Sequence, residues 1–338
     1  MKTILPLLFL FIIACESGRE EQEAENPAYQ TTGSIEQLDE ELANVLDPEA
    51  LPEIIGEGYD WTEGPVWVDE HEFLLFSDIP PNKIYRWKEG EGVSLYLEPS
   101  GYTGEEERGG EKGSNGLIIS EEGDLLLAQH GDRRIARMNA LLTAPAPEFE
   151  TLAGSYEDNK LNSPNDLVQH SNGDIYFTDP PYGLEEHIND PARELDFQGV
   201  YRLSPQGELT LLTDELSRPN GIDFSPDEKT LYVANSDPEN PVWMAYSLQE
   251  DGNITAGRTF ADASDFVGRE PGLPDGMKVD EEGYIYATGP GGVWIFAPDG
   301  RTLGKIKTGQ ATSNCAIGND GRMLYITADM YLLRIPLK

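Results

Sequence analysis

Basic residues are scarce in this chain of 338 residues. It has 24 Lys and Arg against 62 Asp and Glu, which gives a formal net charge of −38 at pH 7. Nucleic-acid binding requires clusters of Lys and Arg that neutralise phosphates, so the composition argues against a nucleic-acid partner. An acidic surface also repels anionic lipid headgroups, so we expect no basic patch to hold the protein at a membrane.

Motifs of two common enzyme classes are missing as well. The sequence contains no Gly-x-Ser-x-Gly segment, which argues against a serine hydrolase with a nucleophile elbow. It contains no glycine-rich loop of the kind that cradles phosphates, so it gives no support for a nucleotide-binding enzyme. Any catalytic chemistry must therefore come from other residues.

Long apolar runs are limited to one short stretch at the N-terminus. After Met1 and Lys2, about ten apolar residues lead to Ala14 and Cys15, whereas a membrane-spanning helix needs about 20. A basic start, a short apolar region and a small residue before the cleavage point are typical of a secretory signal. The end of the run, Ile12-Ile13-Ala14-Cys15, resembles the bacterial lipobox, in which the cysteine is lipidated and becomes the mature N-terminus.

This resemblance predicts an exported protein that Cys15 anchors through a lipid in the bacterial cell envelope. The alternative is an ordinary signal peptide with an incidental cysteine. The signal would cover residues 1–14, and the acidic residues 15–52 are expected to form a flexible tether, with a short helix within 34–45. The second cysteine, Cys315, then has no partner for an internal disulfide in the mature chain.

The rest of the chain, residues 53–338, repeats one pattern six times. Each repeat has a short run of strand-forming residues that ends in a small or polar residue, and the runs start 39 to 56 residues apart. The runs are 74–78, 125–129, 175–179, 231–235, 285–289 and 324–328. A period near 50 residues with several strands per unit predicts an all-β, six-bladed β-propeller. A β-sandwich with fortuitous spacing is the alternative.

The last repeat is short, so its outer strand must come from elsewhere. We expect residues 53–58 to supply this strand and close the ring, with Trp61 packed at the closure.

A polar residue stands ten or eleven residues before each of the six runs. These residues are Glu63, Asn115, Asn165, Asn220, Asp275 and Asn314. Their equal offset places them at the start of each innermost strand, and in a propeller these points converge on the central channel. Two carboxylates and four amides would therefore face one another at one end of the channel.

Such a set of oxygen donors, without histidine or thiolate, predicts a hard cation site. Ca²⁺ accepts six to eight oxygen ligands in flexible geometry and suits the set better than Zn²⁺ does. One divalent cation, with Ca²⁺ favoured and Zn²⁺, Mn²⁺ or Mg²⁺ as alternatives, is thus the expected cofactor.

Five segments of the chain resemble the SMP-30/gluconolactonase family. They are Glu63-Gly64-Pro65-Val66-Trp67, Ser163-Pro164-Asn165-Asp166-Leu167, the stretch from Tyr176 to Gly183, Arg218-Pro219-Asn220-Gly221-Ile222 and Pro274-Asp275-Gly276-Met277. The resemblance covers residues 53–338 and implies a six-bladed propeller that holds one divalent cation and hydrolyses sugar lactones. Related members hydrolyse other lactones or organophosphates.

The resemblance also implies roles for individual residues. Glu63, Asn220 and Asp275 match the metal ligands of the family, and Asn165 matches a residue that contacts metal or substrate. Asp275 matches the general base, so it would serve as ligand and base at once. Some lactonases of the family have an arginine where this chain has Ser163, which leaves the preferred lactone open.

Further residues are expected around this site. Asn115, Asn165 and Tyr182 are candidates for substrate binding. His130 is either a further substrate contact at the pocket mouth or a packed loop residue. Asp166 and Asp179 could orient the amide ligands. The loops 102–112 and 183–197 are long enough to cover the active face.

Two classes of function follow from these residues. The first is a metal-dependent lactone hydrolase acting on a small-molecule substrate, with organophosphate or aryl-ester hydrolysis as a variant. The second is a lipid-tethered propeller that binds a sugar or a protein and uses its cation only to hold the blades together. The oligomeric state follows from neither.

Overall fold

The computed structural model describes residues 29–338, which form six four-stranded antiparallel sheets around a central channel. This is the predicted six-bladed β-propeller. The strands, from the channel outwards, are Thr62–Val68, Phe73–Asp78, Lys83–Lys88 and Gly92–Leu97 in blade 1, Ser114–Ile119, Leu125–Gln129, Arg134–Met138 and Phe149–Ala153 in blade 2, and Leu167–Gln169, Ile175–Asp179, Gly199–Leu203 and Leu209–Thr213 in blade 3. They are Pro219–Phe224, Thr230–Asp237, Asn240–Ser247 and Arg258–Asp262 in blade 4, Met277–Val279, Ile285–Gly289, Gly292–Phe296 and Thr302–Lys307 in blade 5, and Asn314–Gly318, Met323–Ala328, Tyr331–Pro336 and Glu53–Glu57 in blade 6.

A few short elements are present besides the four strands of each blade. They are a hairpin of Ser155–Tyr156 and Asn159–Lys160, the 3-10 turns Asp69–His71 and His187–Asn189, the strand Ser34–Gln37 and the helix Leu42–Val45. No helix within residues 29–338 is long and apolar enough to cross a membrane.

The second strand of each blade is buried on both faces. In blade 1, Leu74 and Phe76 pack towards blade 6, whereas Leu75 packs towards blade 2. Successive side chains of a strand point to opposite faces of the sheet, so a strand between two cores needs apolar residues at consecutive positions. This explains why the six repeated runs in the sequence are continuous rather than alternating.

Blade 6 is completed by the start of the propeller sequence. Glu53–Glu57 pairs antiparallel with Tyr331–Pro336, with Glu53 opposite Arg334 and Glu57 opposite Tyr331. Arg334 donates a hydrogen bond of 2.7 Å to Glu53 and lies over the rings of Tyr29 and Trp87. The expectation that residues 53–58 close the ring is confirmed.

Residues 29–52 pack on the propeller, and the expectation of a flexible tether is wrong for them. Ser34–Gln37 adds a fifth strand to the outer edge of blade 5, with Ser34 opposite Lys307. Leu42 and Leu46 are fully buried in the core between blades 5 and 6. The helix expected within 34–45 forms only over Leu42–Val45. Burial of these leucines offsets the entropy lost on ordering the segment.

The predicted signal peptide and the lipidation of Cys15 lie outside the described residues. Both stay predictions from the sequence.

Candidate functional site

The innermost strands approach one another so closely that glycine follows most of the six equivalent polar positions. A Cβ atom on Gly64 would lie 1.9 Å from the carbonyl oxygen of Asn115, and one on Gly276 would lie 2.0 Å from Cγ of Asn314. Only glycine fits such an approach. The same packing brings the polar side chains of neighbouring blades together, as their equal offset in the sequence predicts.

A cavity of about 350 Å³ opens at this end of the channel. Five of the six polar residues line it: Glu63, Asn115, Asn165, Asn220 and Asp275. Its wall also includes Trp61, Glu111, Tyr182, Arg218 and Leu273. A cavity of this size with a few convergent polar groups is typical of a small-molecule site.

Several oxygen atoms in the cavity are buried and have no hydrogen-bond partner among residues 29–338. They are Oδ1 of Asn115, Oδ1 of Asn165 and Oδ1 of Asp275. Buried polar atoms are nearly always paired, so three unpaired oxygens in one cavity indicate a bound group that donates hydrogen bonds to them or a cation that they coordinate.

Glu63 and Asp275 are buried carboxylates whose charged forms are disfavoured. Burial raises the pKa of Glu63, and nearby Asp166 adds to this effect. Burial and then the charge of Glu63 raise the pKa of Asp275 well above its ordinary value. A second charge of the same sign in a buried site disfavours ionisation. A cation between these side chains would reverse the effect.

The donor set fits a hard divalent cation. Within residues 29–338 no three His, Cys, Asp or Glu side chains are placed to share an ion. A cation here would therefore combine the carboxylates of Glu63 and Asp275 with the amide oxygens of Asn165 and Asn220. Such all-oxygen sets suit Ca²⁺, and Mg²⁺ or Mn²⁺ to a lesser degree.

Asn314 differs from the other five polar residues because it does not line the cavity. Its Nδ2 donates a hydrogen bond of 3.2 Å to Oε2 of Glu63, and its Oδ1 accepts one of 2.8 Å from the N–H of Cys315. The N–H of Gly64 donates a second bond, of 2.7 Å, to the same Oε2. Asn314 therefore fixes the Glu63 carboxylate.

A charged layer lies below the oxygen atoms. Asp166, which follows Asn165, is buried, and Gly116 leaves space for its Oδ1, since a Cβ there would lie 2.6 Å away. Lys278, three residues after Asp275, lies near Asp166 and Asp223. Burial lowers the pKa of its ammonium group, but the nearby negative groups, with Asp166 and Asp223 foremost, together raise it. The lysine balances negative charge beneath the cavity.

Asp179 fixes the backbone immediately before Asn165. Its two carboxylate oxygens accept hydrogen bonds of 2.8 Å from the N–H groups of Asn162 and Ser163. Ser163 itself donates a bond of 2.6 Å to the carbonyl of Pro180 and accepts one of 2.9 Å from the N–H of Gly183. The hydroxyl of Ser163 is thus used within the loop and does not reach the cavity.

Of three further residues named from the sequence, Tyr182 lines the cavity, as expected. The other two, His130 and Trp61, lie elsewhere than a cavity contact and a ring-closure core residue would. His130 is fully buried behind the wall and does not line the cavity, because Glu111 lies in front of it. Trp61, expected in the ring-closure core, is half-buried and lines the cavity.

Two cavity residues escaped sequence reasoning. Arg218 stands two residues before Asn220, and this offset was the signal that could have found it. Glu111 lies in one of the two predicted covering loops. The loop contains several other acidic residues, so nothing in the sequence marks Glu111 as the one that reaches the cavity. Arg108 holds this loop by donating to the carbonyls of Gly131, at 2.9 Å, and Gly183.

Comparison with known proteins identifies relatives over nearly the whole chain. The SMP-30/Gluconolactonase/LRE-like region model matches residues 61–329. The gluconolactonase of Zymomonas mobilis is 38% identical and aligns with 99% of this chain and 95% of its own. The pentonolactonase XacC of Haloferax volcanii is 26% identical over 78% of this chain and 80% of its own.

A solved structure supports the same grouping. A gluconolactonase of Xanthomonas campestris superposes with a TM-score of 0.77 at 31% identity, covering 92% of this chain and 99% of that one.

Proposed function

The chain belongs to the SMP-30/gluconolactonase/LRE-like family, and from this membership we propose that it hydrolyses sugar lactones with one divalent cation at the base of its cavity. Relatives with 38% and 31% identity are both described as gluconolactonases, which supports lactone hydrolysis as the reaction.

The side chains that would hold the cation are Glu63, Asn165, Asn220 and Asp275. Asn314 and Gly64 keep the Glu63 carboxylate in place. When bound, the cation would withdraw electron density from the lactone carbonyl and stabilise negative charge on its oxygen. Ca²⁺ is the favoured ion because every donor is a hard oxygen.

Asp275 is the residue placed to take a proton from the attacking water. Its Oδ1 is without a partner among the described residues, and the residue borders the cavity. Among the four side chains proposed to hold the cation, only Glu63 and Asp275 can take a proton, and Oε2 of Glu63 already accepts hydrogen bonds from Gly64 and Asn314. We assign it the base role together with a ligand role.

Arg218 and Tyr182 are placed to bind the substrate's hydroxyl groups. Arg218 is exposed at the cavity wall, and its guanidinium makes no hydrogen bond or ion pair within residues 29–338. Leu273 and Trp61 provide apolar surface on the same wall. A pocket with apolar walls and a few polar groups can orient a polyhydroxylated ring.

The observation that carries this proposal is the set of unpaired oxygens of Asn115, Asn165 and Asp275 beside Glu63. A protein-binding surface does not require buried, unpaired oxygen atoms at the end of a channel. A purely structural cation would not need an open cavity above it lined by Arg218 and Tyr182.

Proton release from glucono-δ-lactone by the purified full-length protein tests the proposal. We expect turnover well above spontaneous hydrolysis with Ca²⁺, and loss of turnover with a chelator. Thermal melting is measured in both conditions. No turnover with any divalent cation, together with a large fall in melting temperature on chelation, would favour the binding propeller with a structural ion.

A further inference from the structure

The cavity wall carries a third carboxylate besides those of Glu63 and Asp275. Glu111 lies in the loop between blades 1 and 2, and its side chain is 34% exposed. It is near the other carboxylates of the cavity: after burial, its charge is among those that raise the pKa of Glu63 and of Asp275.

Glu111 is paired with a buried histidine. Its Oε2 lies 3.3 Å from Nδ1 of His130, whose side chain is 0% exposed. Neither ring nitrogen of His130 has a hydrogen bond of good geometry in the part of the chain that the structure describes. A small rotation of Glu111 would complete a hydrogen bond at this distance, as often happens when a substrate binds.

The backbone around the pair is held in place. The N–H of His130 donates a hydrogen bond of 3.2 Å to the carbonyl of Gly113. Gly183 packs against the histidine so closely that a Cβ atom there would lie 2.6 Å from Cβ of His130. Arg108 fixes the loop that carries Glu111 through the carbonyl of Gly131. These contacts fix the position of His130 and of the loop, and so the place in which the Glu111 carboxylate can meet the cavity.

We propose that Glu111 is a further catalytic residue, the acid that protonates the lactone ring oxygen, with His130 as its positioning residue. The proposal rests on the lactone hydrolysis proposed above. The proton given to the ring oxygen is the one shared by Oε2 of Glu111 and Nδ1 of His130 in the proposed step. Only Glu111 reaches the substrate, because His130 lies behind it.

The proton transfers balance over one turnover. Asp275 takes a proton from water, whose oxygen bonds to the carbonyl carbon of the lactone. When the bond between this carbon and the ring oxygen breaks, its electron pair stays on the ring oxygen, which takes the proton from Glu111. The proton on Asp275 then returns to the pair through solvent, so one water is consumed and one hydroxy acid is formed.

The separation of acid and base explains why a cavity with two buried ligand carboxylates needs a third. Asp275 is protonated at the moment when the ring oxygen needs a proton, but it lies at the base of the cavity beside Glu63. An alkoxide leaving group accepts a proton as the bond breaks, and a positioned acid contributes about 10²- to 10⁴-fold to such a step.

Kinetics of Glu111→Gln, Glu111→Asp and Glu111→Ala on glucono-δ-lactone test the proposal. We expect Glu111→Gln to lower kcat about 10²-fold with little change in KM, because glutamine has nearly the same shape and no proton to give. Glu111→Asp should recover part of the loss, and added formic acid should restore part of the turnover of Glu111→Ala. Ca²⁺ affinity, measured by calorimetry, should stay within about threefold in all three variants.

Matched controls come from the same loop and from a second His–Glu pair. Glu106→Gln changes an exposed carboxylate of the same loop and should keep wild-type turnover. His130→Asn should lower kcat with KM unchanged. His170→Asn alters a histidine that lies 3.5 Å from Glu228 in a hairpin far from the cavity wall, and it should change neither constant.

The outcomes separate this proposal from the one on which it rests. Absence of metal-dependent turnover in the wild-type protein would overturn both. Wild-type turnover with more than half of kcat retained in Glu111→Gln would overturn the acid role alone. The same conclusion follows if Glu111→Gln raises only KM, or if the loss of kcat is accompanied by lost Ca²⁺ affinity and no rescue by formic acid.

Discussion

Asn314 Nδ2 donates a hydrogen bond of 3.2 Å to Oε2 of Glu63, 251 residues away in the chain. The bond joins blade 6 to blade 1 across the closure of the ring, directly beneath the cavity. It ties the completion of the propeller to the orientation of a proposed cation ligand. The last residue of the sixfold pattern thus serves the site through Glu63.

Asn314→Ala should weaken Ca²⁺ binding about 10- to 100-fold, the usual cost of losing a partner behind a metal ligand. Isothermal titration of the variant with Ca²⁺ measures the effect. Asn253→Ala, in an exposed turn of blade 4, is the control and should bind like the wild type. Unchanged affinity in Asn314→Ala would show that Gly64 alone fixes Glu63.

Asp275→Asn should keep an oxygen donor but lose the base. We expect kcat to fall about 10²- to 10⁴-fold, with Ca²⁺ binding still measurable. In chelator the variant should melt at a higher temperature than the wild type, because it removes the repulsion between Glu63 and Asp275. Wild-type turnover in the Ca²⁺-loaded variant would refute the base role.

Arg218→Ala should raise KM for the lactone about 10-fold or more and change kcat little, since hydrogen bonds to a charged group are worth about 1.5–3 kcal/mol. Steady-state kinetics separate the two constants. Arg258→Ala removes an exposed arginine from the outer strand of the same blade and should have no effect. An equal effect of both variants would point to the overall charge instead.

Leu42→Ala should lower the free energy of unfolding by about 2–5 kcal/mol, as expected for a fully buried leucine. Leu38→Ala, four residues earlier and 55% exposed, should change it by less than about 0.5 kcal/mol. Urea denaturation measures both. Equal stabilities would mean that residues 29–52 do not contribute to the folded core.

The free energy of unfolding should also fall as the pH rises from about 4 to 7. Burial raises the pKa of Asp179 to about 7, against its ordinary value of 3.8. The folded state therefore binds this proton more tightly, and the stabilisation present below pH 4 is lost as the pH rises through 7. Urea denaturation in saturating Ca²⁺ should show this fall in the wild type.

Asp179→Asn is the comparison for this pH effect. It should be less stable at pH 5, because its amide group would face the N–H of Asn162 or Ser163. The decline between pH 4 and 7 should be smaller than in the wild type, because the contribution of Asp179 is removed while that of Asp223, whose pKa burial raises to about 6, remains. An unchanged decline in the variant would assign the effect to another group.

The sequence by itself determined the ring and the position of its site. Apolar runs such as Leu74 to Phe76 repeat because each second strand faces two cores, and this local requirement is visible without a structure. Glu63 and Asp275 could be found because each stands at a fixed distance from such a run. The periodicity of the sequence therefore predicted the six blades, the strand that closes the ring and the polar residues that begin the innermost strands.

Only the tertiary structure decided which residues surround Glu63 and Asp275. Glu111 and Arg218 reach the cavity from loops, whose paths depend on contacts such as that of Arg108 with Gly131 and follow no period. His130 lies behind Glu111 for the same reason. Residues 29–52 are acidic enough to suggest a tether, yet the outer edge of blade 5 and the buried site of Leu42 order them. Those partners lie more than 200 residues away in the chain, where local sequence carries no information about them.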